Sequence, residues 1–239
     1  GCAPDTLLGS GFQASRKRFA EGAIGRPLGA QGFMFRRLPP TPASATGAFA
    51  FFDMAPYYVT ALVNLLGPAR RVTGSAQTLT AEQAAGGGDS AVISFAGVIE
   101  FANRVLANVL LVWGTSHRSE VPFVKVFGTT GVLDVPNPNV FGDPGFVRPY
   151  DAAPDEEIAA SRQPAEWPRN LRGLGVAELA AALREGRQPR AGADVACHVV
   201  EVIASIVSAA EDGRHVDLTT TCSPPPPLSL AEEAALLGL

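Results

Sequence analysis

The chain has 239 residues, of which 46% are apolar and 18% are charged, and its formal net charge is −4. This composition is typical of a globular protein and excludes a mostly disordered chain. The mildly acidic balance gives no electrostatic support to nucleic-acid binding, so no nucleic-acid partner is expected.

Localisation signals are weak in this sequence. No apolar run reaches the roughly 18 residues needed to span a bilayer, and Ala102 to Trp113, the best candidate, is interrupted by polar residues. The N-terminal segment GCAPDTLLGS does not have the pattern of a signal peptide. Three widely spaced cysteines, Cys2, Cys197 and Cys222, predict neither a disulfide framework nor a metal site. We therefore expect a cytoplasmic protein with no membrane partner.

The N-terminal part of the chain alternates helix and strand signals. Asp5 to Glu21 is predicted to form a helix that ends at Gly22. Leu28 to Arg36 alternates loosely, which predicts a strand. A second helix is predicted over Asp53 to Leu66, because Gly67-Pro68 is a stop signal.

Between Arg70 and Val135 the apolar pattern changes to a period of two. Strand candidates recur at intervals of roughly 8–15 residues, a spacing typical of an antiparallel meander. The candidates are Arg70–Leu79, Ser90–Phe101, Arg104–Gly114, Phe123–Gly128 and Gly131–Val135.

The C-terminal part is predicted to be irregular at first and then helical. Residues 136–168 are rich in proline and are expected to form irregular surface chain. Helices are predicted over about Leu171–Glu185 and Ala193–Glu211, with a last short helix after the proline run Pro224–Pro227. We predict one domain over residues 1–222 and a Pro-rich spacer and tail over 223–239.

The order of these elements predicts an α+β fold. Consecutive strands followed by helices favour an open, mainly antiparallel sheet that carries its helices on one face. Strand candidates such as Val105 to Trp113 are apolar on both sides, so the second face of the sheet also needs cover. We expect a second copy or another domain to supply it, which makes a homo-oligomer the expected assembly.

A glycine pattern near the N-terminus matches a nucleotide-binding motif in letters only. Gly9 to Ala14 fits G-x-G-x-x-A, but no strand precedes it and the predicted helix already has an N-cap at Asp5 or Thr6. The better interpretation is that small residues here allow close packing.

The second predicted helix carries a candidate polar site. Asp53 and Tyr57 are four residues apart and share one helix face, which Thr60 continues. An acid and a phenol near a helix N-terminus can bind or deprotonate a substrate hydroxyl. The same spacing also fits a helix cap and a packing residue, and spacing alone favours this structural alternative.

Histidines provide one further candidate. His117 follows the longest strand candidate, and residues at strand ends commonly line sites. His198 lies in an apolar helix and is expected to be partly buried with its hydrogen bonds satisfied. No two histidines have metal-ligand spacing, so no metal site is predicted.

Several segments in this order resemble the Gfo/Idh/MocA oxidoreductase family. The likeness extends over nearly the whole chain, and the ordered set is more specific than any single segment. The segments are Ala3–Arg16, Glu21–Pro27, Phe52–Tyr58 with Leu65–Pro68, Val126–Gly131, Asn137–Gly142 and Gly213–Val216.

The resemblance implies a C-terminal domain with an open antiparallel sheet. In the family this domain follows a Rossmann domain that binds NAD or NADP, and nothing in this chain resembles that domain. The family's Glu-Lys-Pro motif also has no counterpart, since Lys17 and Lys125 stand in other contexts. We therefore expect the cofactor to be bound mainly by a domain not present in this chain, which alone would be inactive.

The resemblance also implies roles for the polar candidates. The family's helix at the catalytic face reads Asp-x-x-x-His or Asp-x-x-x-Tyr, which makes Asp53 and Tyr57 the expected catalytic residues. Thr60, at a position often held by Asp or Asn, and His117 are the expected substrate-binding residues.

Two functions remain open from the sequence. One is the substrate and oligomerisation domain of an NAD(P)-dependent oxidoreductase that acts on a sugar or polyol hydroxyl. The other is a non-catalytic binding or assembly module without a nucleotide domain. Asp53 and Tyr57 favour the first, and the lack of a nucleotide fingerprint favours the second.

The misplaced glycine pattern gives a direct prediction about nucleotide binding. We expect the 239-residue chain not to bind NAD(H) or NADP(H) tightly, because its glycines are not at a strand-to-helix turn. Calorimetric titration measures this. A micromolar dissociation constant for either nucleotide would mean that the first helix was misinterpreted.

Overall fold

The structure is a computed structural model that describes residues 1–36, 48–79, 91–113, 123–153, 158–159 and 171–238. These residues form a short 3-10 helix (Thr6–Leu8), five α-helices and nine strands. The helices are α1 (Ser10–Ala20), α2 (Ala48–Leu66), α3 (Leu174–Glu185), α4 (Ala193–Asp212) and α5 (Leu230–Leu237). The strands are β1 (Pro27–Arg36), β2 (Ala69–Leu79), β3 (Ala91–Phe101), β4 (Leu106–Trp113), β5 (Val124–Gly128), β6 (Gly131–Val135), β7 (Phe146–Pro149), β8 (Ile158–Ala159) and β9 (Val216–Asp217).

All the described strands belong to one open sheet, in the order β8-β7-β6-β5-β1-β4-β3-β2-β9. Only the pairing of β1 with β4 is parallel among them. The α+β prediction is confirmed, but the single meander is wrong, since β1 inserts between β4 and β5 and splits it. Hydrophobic period marks a strand without specifying its neighbour, so the sequence could not place β1.

A row of small residues lets the helices approach the sheet closely. Gly32 of β1, Val109 of β4, Gly97 of β3 and Gly74 of β2 are cross-strand partners in one continuous row. A Cβ atom on Gly32 would lie 3.5 Å from Leu62 of α2. A Cβ atom on Gly74 would lie 2.1 Å from the carbonyl oxygen of Ile206 in α4. The α4 backbone therefore occupies space that any other residue at position 74 would fill.

The core lies between this face of the sheet and helices α2 and α4. Alternate residues of the central strand, Ala107, Val109 and Leu111, are fully buried on this side. The rings of Phe51 in α2 and Phe95 in β3 stack with centroids 4.4 Å apart. Residues of β4 that point the other way are half-buried or exposed, so the sheet is covered by helices on one face only.

Helix α2 begins earlier than the sequence predicts. It starts at Ala48 rather than Asp53, so Asp53 is not the N-cap and Pro56 lies inside the helix. Proline has no backbone N–H, and the carbonyl of Phe52 therefore loses its intrahelical donor. A helix that began at Asp53 would have Pro56 in its first turn, but the apolar contacts of Phe51 extend the helix back to Ala48.

Other helix and strand boundaries also differ from those predicted, because contacts between distant parts of the chain decide where these elements begin and end. The first predicted helix is divided, since Gly9 has extended backbone between the 3-10 helix and α1. The segment predicted to be irregular contributes β7, which pairs with β6. Strand β9 was not predicted and pairs with β2 at the sheet edge.

Helix α4 is the one described helix that is long and apolar enough to cross a membrane by length and composition. The sequence analysis did not identify this helix as a candidate membrane span. Core helices pass the same test, and α4 packs against β2 and α2. Cys197 has apolar neighbours in the sequence, yet it is exposed on the outer side of α4, whereas Cys222 is buried and burial raises its pKa to about 11.

Buried arginines hold the C-terminal tail against the domain. The Nη2 atom of Arg16 donates to the carbonyl of Pro225 over 2.7 Å, and Arg190 donates to the carbonyls of Pro226 and Pro227. Arg16 belongs to the basic run Arg16-Lys17-Arg18, a pattern typical of a solvated helix face, yet it is only 7% exposed. Burial, together with the charge of Arg190, lowers the pKa of Arg16 to about 10.

The close approach of α4 to the glycine row predicts that a methyl group added at Gly74 lowers the stability of the fold. Gly74→Ala should lower the free energy of unfolding by about 1–3 kcal/mol, because the α4 backbone must move away from the sheet. Gly29→Ala is the matched control, since its Cβ would meet only the Leu106 carbonyl oxygen at 3.6 Å. Urea unfolding of both variants checks this, and equal stabilities would show that α4 does not need the glycine.

Candidate functional site

The predicted site residues on α2 differ in exposure. Asp53 is exposed, Tyr57 is half-buried and Thr60 is buried. Successive members of this set lie one turn apart along the helix, so they share a side and descend from the surface towards the core. His117 lies outside the described residues.

Tyr57 and Thr60 line a small crevice between α2 and the N-terminal segment. Thr6, Phe12 and Pro138 complete much of its wall. The hydroxyl of Thr6 donates to the carbonyl of Pro138 over 2.6 Å, which ties the N-terminal segment to the loop after β6. The crevice has a volume of about 10 Å³, which is room for at most one water molecule.

Asp53 is not among the residues that line the crevice. It lies five residues after the first residue of α2, beyond the first turn, where the helix dipole acts most strongly. The expected stabilisation of its carboxylate by the helix N-terminus is therefore wrong. The structure brings Tyr57 and Thr60 together, and it leaves Asp53 one turn away on the exposed part of the same helix.

Asn64 extends this polar side of α2 and was missed in the sequence. It is buried, its Nδ2 atom donates to the carbonyl of Thr60 over 2.9 Å, and its Oδ1 atom has no hydrogen-bond partner among the described residues. The signal was present, since Tyr57, Thr60 and Asn64 recur at helical spacing inside an otherwise apolar segment. A buried unpaired acceptor next to Thr60 offers a hydrogen bond to water or to a nearby hydroxyl.

The N-terminal glycines pack against protein and leave no space for a nucleotide. A Cβ atom on Gly9 would lie 2.4 Å from the carbonyl oxygen of Phe141, and one on Gly11 would lie 1.8 Å from that of Asp143. A pyrophosphate would have to occupy the same space as this loop. The close-packing interpretation of Gly9 and Gly11 agrees with these contacts, and these residues do not fit NAD(P).

His198 is structural. Its ring is fully buried, and Nε2 accepts a hydrogen bond from the backbone N–H of Ala69 over 2.9 Å. The proton of the neutral ring is therefore on Nδ1, which donates to Thr220 Oγ1 over 2.9 Å, and that hydroxyl donates to Glu201. Burial lowers the pKa of His198 and keeps it neutral. The described residues contain no cluster of three or more acidic, His or Cys side chains able to hold a metal ion.

Glu201 terminates this hydrogen-bonded chain as a charged acceptor. Burial would raise the pKa of its carboxyl, but hydrogen bonds from the side chains and backbone of Thr219 and Thr220 outweigh that effect and lower it to about 2. The network joins α4 to the start of β2 and to the segment after β9.

Comparison with known proteins gives a family match. The profile of the GFO/IDH/MocA C-terminal domain matches residues 12–134, just over half of the chain. No curated protein sequence matches.

Solved structures share the fold at low sequence identity. An oxidoreductase from Agrobacterium radiobacter, in complex with NAD+, L-tartaric acid and magnesium, is 16% identical with a TM-score of 0.67; the match covers 88% of this chain and 62% of that one. Aldose-aldose oxidoreductase from Caulobacter crescentus, complexed with glycerol, is 18% identical with a TM-score of 0.71, over 89% and 62%. Levoglucosan dehydrogenase with NADH is 21% identical with a TM-score of 0.69, over 88% and 63%. The chain thus spans less than two thirds of the length of these proteins.

The buried histidine predicts a pH dependence of stability. The native ring stays neutral, while the unfolded ring takes up a proton below about pH 6.5, so this residue lowers the free energy of unfolding as the pH falls. Glu233, whose pKa burial raises to about 7, acts in the opposite direction between about pH 7 and 4.5.

Comparison with His198→Asn isolates the histidine effect. The variant should be less stable by about 1–3 kcal/mol at pH 7.5, because the N–H of Ala69 loses its acceptor. Urea midpoints at about pH 7.5 and 5.5 should show a smaller loss on acidification in the variant than in the wild type. Identical pH dependence in the two proteins would mean that His198 has the same pKa in the native and the unfolded state.

Proposed function

The chain belongs to the Gfo/Idh/MocA oxidoreductase family, and on this premise we propose that it is the substrate and oligomerisation domain of an NAD(P)-dependent oxidoreductase. The proposed substrate is a sugar or polyol that is oxidised at a hydroxyl. The family match carries the proposal. Ligands of the similar structures support the substrate class, since glycerol and L-tartaric acid are both small polyhydroxylated molecules.

In this proposal Tyr57 exchanges the proton of the substrate hydroxyl. Tyr57 is half-buried and lines the crevice, whereas its neighbour Tyr58 is fully buried. Asp53 lies on the exposed side and orients the substrate. His117 is proposed to bind substrate directly, and the buried Thr60 is proposed to reach it through a water molecule held in the crevice. Because the crevice holds at most one water molecule, the sugar must bind outside it, on the exposed part of α2.

The nucleotide is proposed to be bound elsewhere. Gly9 and Gly11 touch the loop at Phe141 and Asp143, so the residues that match a nucleotide motif in letters do not fit NAD(P). The similar structures are longer than this chain, and two of them were determined with NAD+ or NADH. We assign no step of hydride transfer to residues of this chain.

The open face of the sheet supports the oligomerisation role. Phe33 and Leu110 are paired in register at its centre and are half-buried, and Leu106 and Phe127 near one end are exposed. Polar groups stand on the same face, since Asp134 contacts Lys125 over 2.9 Å and Arg148, and Asn108 is exposed between Leu106 and Leu110. A face that mixes apolar and polar residues in this way is typical of a surface that pairs with another copy.

The alternative is a binding or assembly module without redox chemistry. The same apolar sheet face favours it, because such a face serves assembly whether or not a nucleotide domain is attached. The two functions differ in whether Tyr57 matters for turnover. The cytoplasmic location remains a prediction.

The proposed role of Tyr57 is tested by removing its hydroxyl in a protein that joins this chain to a nucleotide-binding domain. Tyr57→Phe should lower kcat for polyol oxidation by roughly 10²–10⁴, the usual effect of a positioned acid or base, with little change in unfolding free energy. Steady-state kinetics with NAD+ and NADP+ over a panel of sugars and polyols measures this.

Tyr150→Phe is the matched control, since Tyr150 is 60% exposed in the turn after β7, away from α2. It should leave kcat unchanged. Tyr58→Phe is expected to affect stability, because that ring is buried against the sheet. Equal kcat for the Tyr57 and Tyr150 variants, or no turnover by the wild type, would favour the assembly module.

The oligomer is tested at the centre of the open face. Leu110→Glu should convert the oligomer to monomer at tens of micromolar, because a carboxylate would be buried against the partner's sheet. Val176→Glu, on the outer surface of α3, should leave the mass unchanged. Sedimentation velocity compares the two, and a monomeric wild type would contradict assembly through this face.

A further inference from the structure

A cleft lies between α1 and the C-terminal tail, away from the Tyr57 crevice. Its volume is about 580 Å³, within the range of small-molecule sites. Lys17, Arg18 and Glu21 of α1 line one wall, and Leu228, Leu230 and Glu233 line the other. Phe12, which faces Tyr57, is on the opposite side of α1 by helical spacing.

Glu233 is the unusual group in this cleft. It is 1% exposed, and its carboxylate accepts a hydrogen bond from the backbone N–H of Ser10 at the start of α1. Its Oε1 atom has no hydrogen-bond partner among the described residues. A buried acceptor without a partner is costly, and a ligand that donates to Oε1 would relieve that cost. Burial raises the pKa of this carboxyl to about 7, which shows the lack of a countercharge.

The carboxylate of the adjacent residue, Glu232, does have partners. Glu232 points to Ser229 and Arg190, pairs with the Arg190 guanidinium over 2.7 Å, and forms a capping box at the start of α5. Burial alone would raise its pKa, but the bonds from Ser229 and Arg190 outweigh it and lower the pKa to about 2. The unmatched charge in the cleft is therefore that of Glu233.

The opposite wall carries cations with capacity to bind an anion. Arg18 Nη1 and Lys17 Nζ both approach the carboxylate of Glu21, at 3.4 and 3.9 Å, so one acid serves two cations. The Nε atom of Arg18 is buried and has no hydrogen-bond partner in the described part of the chain. The cleft thus combines an unpaired acceptor on the tail side with an unpaired donor and positive charge on the α1 side.

We propose that this cleft binds a small zwitterion, a molecule with a protonated amine and a carboxylate. The ammonium group donates to Glu233 Oε1, and the carboxylate accepts from Arg18 and Lys17. The aliphatic side chains of Leu228 and Leu230 provide apolar contact between the two ends. The other carboxylate of the cleft, Glu21, is already paired with Lys17 and Arg18, so too few oxygen ligands are left to make a metal site here. This site is independent of the proposed oxidoreductase function.

The test uses isothermal titration of the full 239-residue chain with amino acids of increasing length: glycine, β-alanine, 4-aminobutanoate and L-leucine. At least one should bind saturably, and butylamine and butyrate, which each lack one charged group, should bind at least about tenfold more weakly. Glu233→Gln should weaken binding by roughly 10- to 100-fold, since it removes the charged acceptor. Glu211→Gln, at the exposed end of α4, is the matched control and should not change the affinity.

Proton release gives a second readout. Binding of an ammonium group favours the ionised form of Glu233, so titrations near pH 7 in two buffers of different ionisation enthalpy should show protons released by the wild type and none by Glu233→Gln. A merely structural role for Glu233 would not produce this signal.

Clear results would overturn the proposal. Absence of saturable binding by all four amino acids up to about 10 mM would do so, as would equal affinity in Glu233→Gln and the wild type. If circular dichroism shows that Glu233→Gln does not fold, Arg18→Gln and the cleft-filling Ala14→Phe replace it. Unchanged binding in both of those folded variants would also overturn the proposal.

Discussion

The approach of α2 and α4 to a row of glycines is the constraint on which the rest of this structure depends. Gly32, Gly97 and Gly74 leave room for the helices, and the backbone of Ile206 comes close enough to Gly74 to exclude a side chain there. This contact fixes the depth of α4, and α4 packs in turn against α2. The position of Tyr57 at the protein surface therefore depends on residues in the sheet that have no chemical role of their own.

Buried polar groups mainly hold together segments that are far apart in the sequence. His198 joins the start of β2 to the segment after β9 through Thr220 and Glu201. Arg190 contacts Glu178, which is fully buried, as well as the proline run of the tail. Each group is satisfied by partners far away in sequence, and removal of one partner would leave a buried donor or acceptor unpaired. These networks explain how a chain with a one-sided helix layer holds its tail in place.

The surfaces of the chain divide by chemistry. Helix α2 carries an exposed acid and a half-buried phenol, the open sheet face mixes apolar and polar side chains, and the cleft beside α1 combines opposite charges at its two walls. The proposed function uses the first two surfaces, one for substrate and one for assembly. The third has no place in that scheme, which is why we treat it as a separate binding site.

The sequence by itself determined the type and approximate bounds of most elements, because alternation and helix stop signals are local properties. It also contained the family likeness, and with it Asp53 and Tyr57 as candidates on one helix face. It could not determine that β1 lies between β4 and β5, that α2 extends back to Ala48, or that Arg16 is buried. Those features depend on contacts between residues far apart in the chain. The unpaired oxygen of Glu233 likewise exists only because the tail folds back onto α1. The capping-box spacing from Ser229 marks Glu232, but no local pattern indicates that Glu233 is buried.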